Sequence, residues 1–129
     1  MKSSLPIVVR STEIDVNGHV NNAKYLEYFE WGREEWYEQC GLAYEAFGSM
    51  GIQTVTVNIN VNYRRECRQS EALIVTCEPE KVGRSSYVLR QEIVDEHGEI
   101  RADAHVTSVT MDSSTRKSRE VPNELRKFF

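Results

Sequence analysis

The spacing of apolar residues along the chain changes once, near residue 51. Before this point the residues of one helical face recur at three- and four-residue intervals, at Ala23, Leu26, Phe29, Arg33, Trp36 and Cys40. This spacing predicts a helix over residues 23–39, capped by Asn21 or Asn22 and ended by Gly41. A second, shorter helix is predicted over residues 42–49.

From Ile52 onward the period is two. Polar residues alternate with an apolar series that consists of Val55, Val57, Ile59, Val61 and Tyr63. The alternation predicts a strand with one apolar and one polar face. Four more strands are predicted over residues 5–10, 72–79, 85–95 and 99–111, and a short terminal helix over 122–128. In the last strand the apolar residues move from even to odd positions, which predicts a β-bulge near Thr107 and Ser108.

The order of one strand, a long helix and four strands predicts an α+β fold. Its simplest form is a five-stranded antiparallel sheet with one long helix laid on it. One helix is too narrow to cover five strands, so an exposed edge and some apolar surface favour a homodimer or homotetramer. Gly32 lies near the inward stripe of the helix, and a close approach to the sheet would offset its cost of about 1 kcal/mol.

Length and composition describe one ordinary domain over residues 1–129, with 40% hydrophobic and 28% charged residues. The net charge of −4 gives no reason to expect nucleic-acid binding, and no apolar run is long enough to span a membrane. Three widely spaced cysteines and three scattered histidines lack metal-site spacing. We therefore expect reduced thiols, a cytoplasmic protein, no metal and no cofactor.

Polar residues crowd the stretch that enters the long helix. Between Asp15 and Ala23 lie a carboxylate, a glycine, a histidine and three asparagines. Unpaired N–H groups at a helix N-terminus can hold negative charge, so the stretch is a candidate site. From spacing alone, a loop aspartate that caps its own turn is the better-supported interpretation of Asp15. His19 is an alternative general base, because imidazole titrates near neutrality.

The motif Asp15-x-x-Gly18-His19-Val20-Asn21-Asn22-x-x-Tyr25-Leu26-x-Tyr28-Phe29-Glu30 resembles the signature of hot-dog fold acyl-CoA thioesterases. The similar group is the 4-hydroxybenzoyl-CoA thioesterase-like one, and the resemblance covers almost the whole chain. The Tyr63-x-x-x-x-Arg68 passage and the Val82-Gly83-Arg84-Ser85-Ser86 hairpin also resemble that family. The chain differs by having Glu13 where many relatives have aspartate, and Glu66 where many have proline.

The resemblance implies a hot-dog fold and hydrolysis of an acyl-CoA to a free acid and CoA. In this interpretation Asp15 acts as nucleophile or as general base on water. The helix N-terminus, at Asn22 and Ala23, polarises the thioester carbonyl. His19 becomes a pocket residue that bonds to backbone.

The resemblance also implies a set of substrate-binding residues, which are Gly18, His19, Asn21, Tyr25, Arg64, Arg84, Ser85 and Ser86. Arginines and hydroxyls of this set are candidates for the CoA phosphates, with Arg65 and Arg68 nearby. The acyl chain is expected near Tyr25, Phe29 and Val57. Two other functions stay open, an acyl-carrier-protein thioesterase and a non-catalytic acyl-CoA-binding protein. A hydratase or dehydratase of the same fold is the least favoured function, because these enzymes usually need an Asp–His pair at a different spacing.

Overall fold

The computed structural model describes residues 1–129. In chain order its elements are β1 (Ser3–Val8), a 3₁₀ turn (Ser11–Glu13), α1 (Asn22–Gln39), α2 (Tyr44–Ser49), β2 (Ile52–Tyr63), β3 (Ala72–Val82), β4 (Ser86–Asp95), β5 (Ile100–Asp112) and α3 (Asn123–Arg126). None of these helices combines the length and the apolar character that crossing a membrane requires. The order of elements agrees with the predicted one.

The five strands form one antiparallel sheet in the order β1-β3-β4-β5-β2. This confirms the predicted sheet and leaves β1 and β2 at its two edges. The long helix α1 packs on one face, which we call the inner face. Its fully buried residues Tyr28, Phe29 and Trp36 belong to two apolar clusters that also contain Val75 and Leu89 of the sheet.

Gly32 marks the closest approach of α1 to the sheet. A Cβ at this position would lie 2.6 Å from Val75 Cγ1 and 2.9 Å from Gln91 Nε2. The Gln91 amide donates a hydrogen bond to the Phe29 carbonyl (2.8 Å) and accepts one from Arg33 (3.1 Å). The close approach expected from Gly32 is therefore present, and α1 is bonded to β4 through a buried side chain.

Several element boundaries differ from the predicted ones. β1 lies two residues earlier, because Ser3 to Val8 pair with β3 and Arg10 leads into the 3₁₀ turn. α2 begins at Tyr44 rather than Leu42, whose N–H closes the end of α1 on the Tyr37 carbonyl (2.7 Å). β3 runs past Pro79, since an irregularity at this point lets the pairing with β4 resume at Lys81.

The predicted β-bulge is on the other strand of the pair. β5 keeps its alternation from Ala102 to Thr110, whereas β2 carries the extra residue, Val57, between Thr56 (opposite Ser108) and Asn58 (opposite Thr107). The prediction of a bulge in β5 near Thr107 and Ser108 is therefore wrong, although its position along the sheet is right. The irregularity of β5 itself is at Arg101, between Ile100 (opposite Val94) and Ala102 (opposite Ile93). The even-to-odd change in β5 arises because Ser108, on the inner face, is polar.

The bulge divides the apolar series of β2 between the two faces of the sheet. Ile59 and Val61 lie opposite Val106 and Ala104 and share their inner face. Val55, beyond the bulge, lies opposite Val109 on the outer face. The prediction that the whole series shares one face is wrong, because one inserted residue reverses the side on which every later side chain points.

Candidate active site

The loop before α1 is closed by its own backbone. Ile14 and Val20 form an isolated antiparallel bridge, the Asp15 N–H donates to the His19 carbonyl (2.9 Å), and the Gly18 N–H donates to the Asp15 carbonyl (3.1 Å). Gly18 has φ +82°, which glycine adopts without strain. The loop therefore holds Asp15 in a defined position beside the start of α1.

The Asp15 carboxylate has one anchored and one free oxygen. Oδ1 accepts a hydrogen bond from the Asn17 N–H (2.8 Å), so Asp15 caps its own turn as the simpler interpretation predicts. No group of the chain bonds to Oδ2. Turn capping thus orients the carboxylate and leaves one oxygen available to a ligand.

The N-terminus of α1 offers one free donor rather than two. The Asn21 side chain caps the helix and accepts the Ala23 N–H (2.8 Å), which confirms Asn21 as the N-cap. The predicted donor role of Ala23 needs correction, since the cap already occupies its N–H. The Asn22 N–H, at the first position of the helix, has no acceptor in the chain.

A cavity of about 400 Å³ lies at this helix end. It is lined by Asp15, His19, Val20, Asn22, Tyr25, Tyr63, Arg64, Arg65 and Glu66. The structure therefore brings together five of the predicted residues: Asp15, Asn22, His19, Tyr25 and Arg64. Gly18 and Asn21 shape the backbone of the same loop without lining the cavity.

Two tyrosines join α1 to the segment that follows β2. The Tyr25 hydroxyl donates to the Arg65 carbonyl (3.3 Å) and accepts from the Cys67 N–H (3.1 Å). Burial raises the pKa of this hydroxyl well above its ordinary value, so it stays protonated. The Tyr63 hydroxyl donates to the Asn22 carbonyl (3.2 Å). Tyr63 belongs to one of the motifs that resemble the family, but its position in the sequence does not indicate that it reaches the start of α1.

His19 lies on the cavity wall. Its Nδ1 is 3.4 Å from the Val20 carbonyl, and its Nε2 is 3.7 Å from the Glu66 carboxylate. The ring therefore contacts backbone, as the resemblance implies, and faces a carboxylate other than Asp15. This carboxylate belongs to Glu66, one of the two positions at which the chain differs from the resemblance described above.

The arginines at the rim are paired with carboxylates. Arg64 lies 2.7 Å from Asp103 and Arg65 lies 2.6 Å from Glu99, and their side chains are 55% and 68% exposed. The Arg64 hydrogen bond lowers the pKa of the Asp103 carboxyl. Both partners of the Arg65–Glu99 pair are exposed, so this pair contributes at most about 1 kcal/mol and a phosphate group can compete for Arg65. Asp103 is 15% exposed, so the Arg64 pair is held more firmly. Arg68 pairs with Glu66 (2.6 Å) and lies outside the cavity lining.

Arg101 holds the backbone of the cavity wall at Glu66. Its guanidinium donates to the Glu66 carbonyl (2.7 Å), to Glu71 (2.6 Å) and to Asp95 (3.1 Å). The hydrogen bond from Arg101 lowers the pKa of the Glu71 carboxyl. A lone arginine on a strand carries no motif, so the sequence contained no signal for this role.

The predicted hairpin residues Arg84, Ser85 and Ser86 lie at the opposite end of the sheet. The Ser85 carbonyl accepts from Thr110, which pairs with Thr54 of β2, whereas the cavity lies at Tyr63. Nine residues of strand separate Thr54 from Tyr63, a distance of about 30 Å. Within one chain these residues therefore do not belong to the cavity.

Two of the three residues predicted to contact the acyl chain are also outside the cavity. Phe29 is fully buried in the core, and Val57 forms the bulge of β2. Only Tyr25 lines the cavity. The apolar spacing correctly marked Phe29 as inward-facing, but an inward position on α1 contacts the sheet rather than a ligand.

Comparison with known proteins identifies the family. The model of the Thioesterase-like superfamily matches residues 9–129. The chain belongs to this superfamily. It is 37% identical over 121 residues to the long-chain acyl-CoA thioesterase FadM of Escherichia coli, which covers 93% of this chain and 91% of that protein. These matches confirm the predicted resemblance and make the protein a thioester hydrolase.

Solved structures of other thioesterases have the same fold. A DHNA-CoA thioesterase from Staphylococcus aureus is 26% identical, with a TM-score of 0.85 over 99% of this chain and 83% of that one. A second Staphylococcus aureus protein, solved in complex with CoA, has a TM-score of 0.91 over 98% of this chain and 80% of that one. The identity to this second protein is 19%, so that likeness concerns the fold alone. The hot-dog fold predicted from the sequence is thereby confirmed.

Proposed function

We propose that the protein hydrolyses acyl-CoA thioesters to a free acid and CoA, with Asp15 as the catalytic carboxylate. The observation that carries the proposal is the composition of one cavity. It contains a carboxylate with a free oxygen, on Asp15, and a helix N-terminus with a free N–H, at Asn22. Hydrolysis requires this combination, because a nucleophile must meet the carbonyl while negative charge on its oxygen is stabilised.

The chemistry has two routes from this geometry. In the first route Asp15 Oδ2 attacks the thioester carbonyl, the C–S bond breaks to release CoA as its thiolate, and water then cleaves the mixed anhydride to the free acid and Asp15. In the second route Asp15 takes a proton from a water that attacks the carbonyl, and collapse of the tetrahedral intermediate breaks the C–S bond and releases CoA. In both routes the carbonyl oxygen lies near the Asn22 N–H, at the positive end of the α1 dipole. Removal of one such preorganised donor in other enzymes costs about 3–4 kcal/mol of transition-state stabilisation.

We also propose that the enzyme is a homodimer, formed through β2. This strand bonds only to β5, so its other edge is unpaired, and Val57 and Tyr63 are 57% and 46% exposed along it. Antiparallel pairing of two β2 strands about a twofold axis places opposite strand ends side by side. The Arg84–Ser86 hairpin of the second copy then lies at the same end as Asp15. Sedimentation equilibrium that gives a monomer at micromolar concentration would refute this assembly.

A cytoplasmic location is part of the same proposal. Cys40, Cys67 and Cys77 are all free thiols, and two of them are buried. Free thiols persist in a reducing compartment, and the cytoplasm is such a compartment.

The decisive experiment measures thiol release from a panel of acyl-CoAs by wild type and Asp15→Asn. The substitution keeps the turn-capping oxygen but removes the carboxylate, so we expect a loss of at least about 100-fold in kcat. Asp112→Asn is the matched control. Asp112 also caps its own turn, through Ser114 and Thr115, but lies outside the cavity.

The outcomes separate the candidate functions. Equal activity of wild type and Asp15→Asn would make Asp15 structural and direct attention to His19. Binding of acyl-CoA without turnover would indicate a non-catalytic binding protein. A clear preference for acyl groups on acyl carrier protein over CoA would identify the alternative thioesterase.

A further inference from the structure

On the inner face α1 packs on β1, β3 and β4 but not on β2, which leaves a groove between α1 and β2 that has the Asp15 cavity at one end. On α1 it is bounded by residues at helical spacing, which are Asn22, Leu26, Glu30 and Tyr37. On β2 it is bounded by inner-face residues, which are Tyr63, Val61, Ile59 and Thr54. Midway along, Leu26 and Ile59 are each 36% exposed, so apolar surface stays open between the two ends.

The groove ends at a second cavity of about 430 Å³, which we call the distal cavity. It lies between α1, α2 and β2 and is lined by Glu30, Glu34, Tyr37, Glu38, Leu42, Ala43, Tyr44, Phe47 and Thr54. Leu42 and Phe47 supply an apolar wall, Tyr37 and Thr54 supply hydroxyls, and three glutamates of α1 supply negative charge.

The hydroxyls of the distal cavity continue into a buried network. Tyr37 and Tyr87 share a hydroxyl–hydroxyl bond, and the Thr54 and Ser108 hydroxyls lie against that of Tyr87. Burial raises the pKa of both tyrosines, so the network is neutral and its protons can reorient to donate or accept.

The bulge at Val57 is the reason that hydroxyls line this end. On the Asp15 side of the bulge, β2 presents Ile59 and Val61 to the inner face. Beyond it the inner-face residues are Thr54 and Thr56, while Val55 points outward. A chain that follows the groove therefore passes apolar side chains first and reaches hydroxyls afterwards.

Helix geometry gives the length of acyl chain that reaches the distal cavity. From Asn22, where the carbonyl lies in the proposed reaction, Glu30 is about 12 Å and Tyr37 about 22 Å along the axis of α1. An extended chain advances about 1.2 Å per bond. Acyl groups of roughly 10 to 18 carbons therefore end within the cavity.

We propose that the distal cavity binds the far end of the acyl chain and selects chains that carry a neutral oxygen group, such as a hydroxyl, near that end. The inference rests on the proposed acyl-CoA hydrolysis and names its substrate class. The Thr54 and Tyr37 oxygens each keep an unused lone pair beside their bonds within the network, so a hydroxyl on the substrate can donate to either of them. An unsubstituted chain displaces water from these oxygens without replacing its hydrogen bond. A terminal carboxylate is disfavoured by Glu30, Glu34 and Glu38.

The test compares kcat/KM for hexadecanoyl-CoA, ω-hydroxyhexadecanoyl-CoA, the ω-carboxy analogue and butanoyl-CoA. We expect wild type to prefer the ω-hydroxy ester over the plain one, and the plain one over the ω-carboxy one. Thr54→Val and Tyr37→Phe should each lower the ω-hydroxy to plain ratio about fivefold, as the loss of one hydrogen bond predicts. Butanoyl-CoA, too short to reach the cavity, should respond to neither variant.

Thr107→Val is the matched control. Thr107 lies at the level of the bulge, opposite Asn58, but on the outer face, so this variant should keep the wild-type ratio. Circular dichroism establishes that each variant is folded, and either Thr54→Val or Tyr37→Phe suffices for the test. The inference is refuted if wild type has equal kcat/KM for the ω-hydroxy and plain esters, or if the folded variants keep the wild-type ratio of the two values. Either result leaves the proposed hydrolysis of acyl-CoA intact. Absence of hydrolysis of every ester, butanoyl-CoA included, overturns the proposed function instead.

Discussion

Gly32→Ala tests the contact that holds α1 on the sheet. The added Cβ would lie 2.6 Å from Val75 Cγ1 and 2.9 Å from Gln91 Nε2, distances that real Cβ contacts essentially never show. Val75 is β-branched and fully buried in a strand, so its side chain cannot rotate away. Gln91 would have to move instead, and its buried hydrogen bond to the Phe29 carbonyl would break.

The magnitude follows from three opposing contributions. Alanine in place of glycine stabilises a helix interior by about 1 kcal/mol. Overpacking costs about 1–3 kcal/mol, and a buried amide left without its partner costs about 1–3 kcal/mol more. The net prediction for Gly32→Ala is a loss of roughly 1–5 kcal/mol, a large share of the 5–15 kcal/mol typical of a domain.

Urea unfolding, followed by circular dichroism at fixed protein concentration, measures this loss. Fixed concentration matters because any dimer makes the transition concentration-dependent. Gly48→Ala is the control, since Gly48 is helical and a Cβ there meets nothing within 4 Å. We expect Gly48→Ala to raise the urea midpoint slightly and Gly32→Ala to lower it. A Gly32→Ala variant as stable as wild type would show that the helix does not approach the sheet this closely.

Two further predictions concern titratable groups. Arg101 lowers the pKa of Glu71 below its ordinary 4.5, so the unfolded chain binds more protons in acid. Stability is then complete above about pH 4.5 and falls as the pH drops through the lower folded value. Urea midpoints across this range should show the fall, with a shallower slope in Glu71→Gln; equal slopes would contradict it. Burial raises the pKa of Cys40 to about 11 and of Cys77 to about 12. A thiol reagent at pH 8 should therefore modify the native chain slowly and the urea-unfolded chain rapidly, whereas rapid modification of the native chain would exclude this burial.

Local patterns in the sequence were sufficient for the architecture. Helical spacing located α1, a two-residue period located β2, and the order of elements predicted the antiparallel sheet. The polar stretch from Asp15 to Asn22 located the cavity, because a loop that enters a helix N-terminus carries its chemistry in consecutive residues. Each of these features is decided by neighbours in the chain, so they can be read without knowing the fold.

Tertiary structure alone decided the features that depend on distant residues. Whether the Tyr63 hydroxyl reaches the Asn22 carbonyl depends on where the end of β2 lies relative to the start of α1. The wall of the cavity depends on Arg101, which reaches it only through strand pairing.

The bulge is the clearest example of this dependence. In β5 the apolar residues move from even to odd positions, but the extra residue of the bulge is Val57, on the partner strand β2. A bulge belongs to a pair of strands, and a single strand cannot specify which member accommodates it. That choice turned Thr54 rather than Val55 toward α1, and with it the chemistry of the distal cavity.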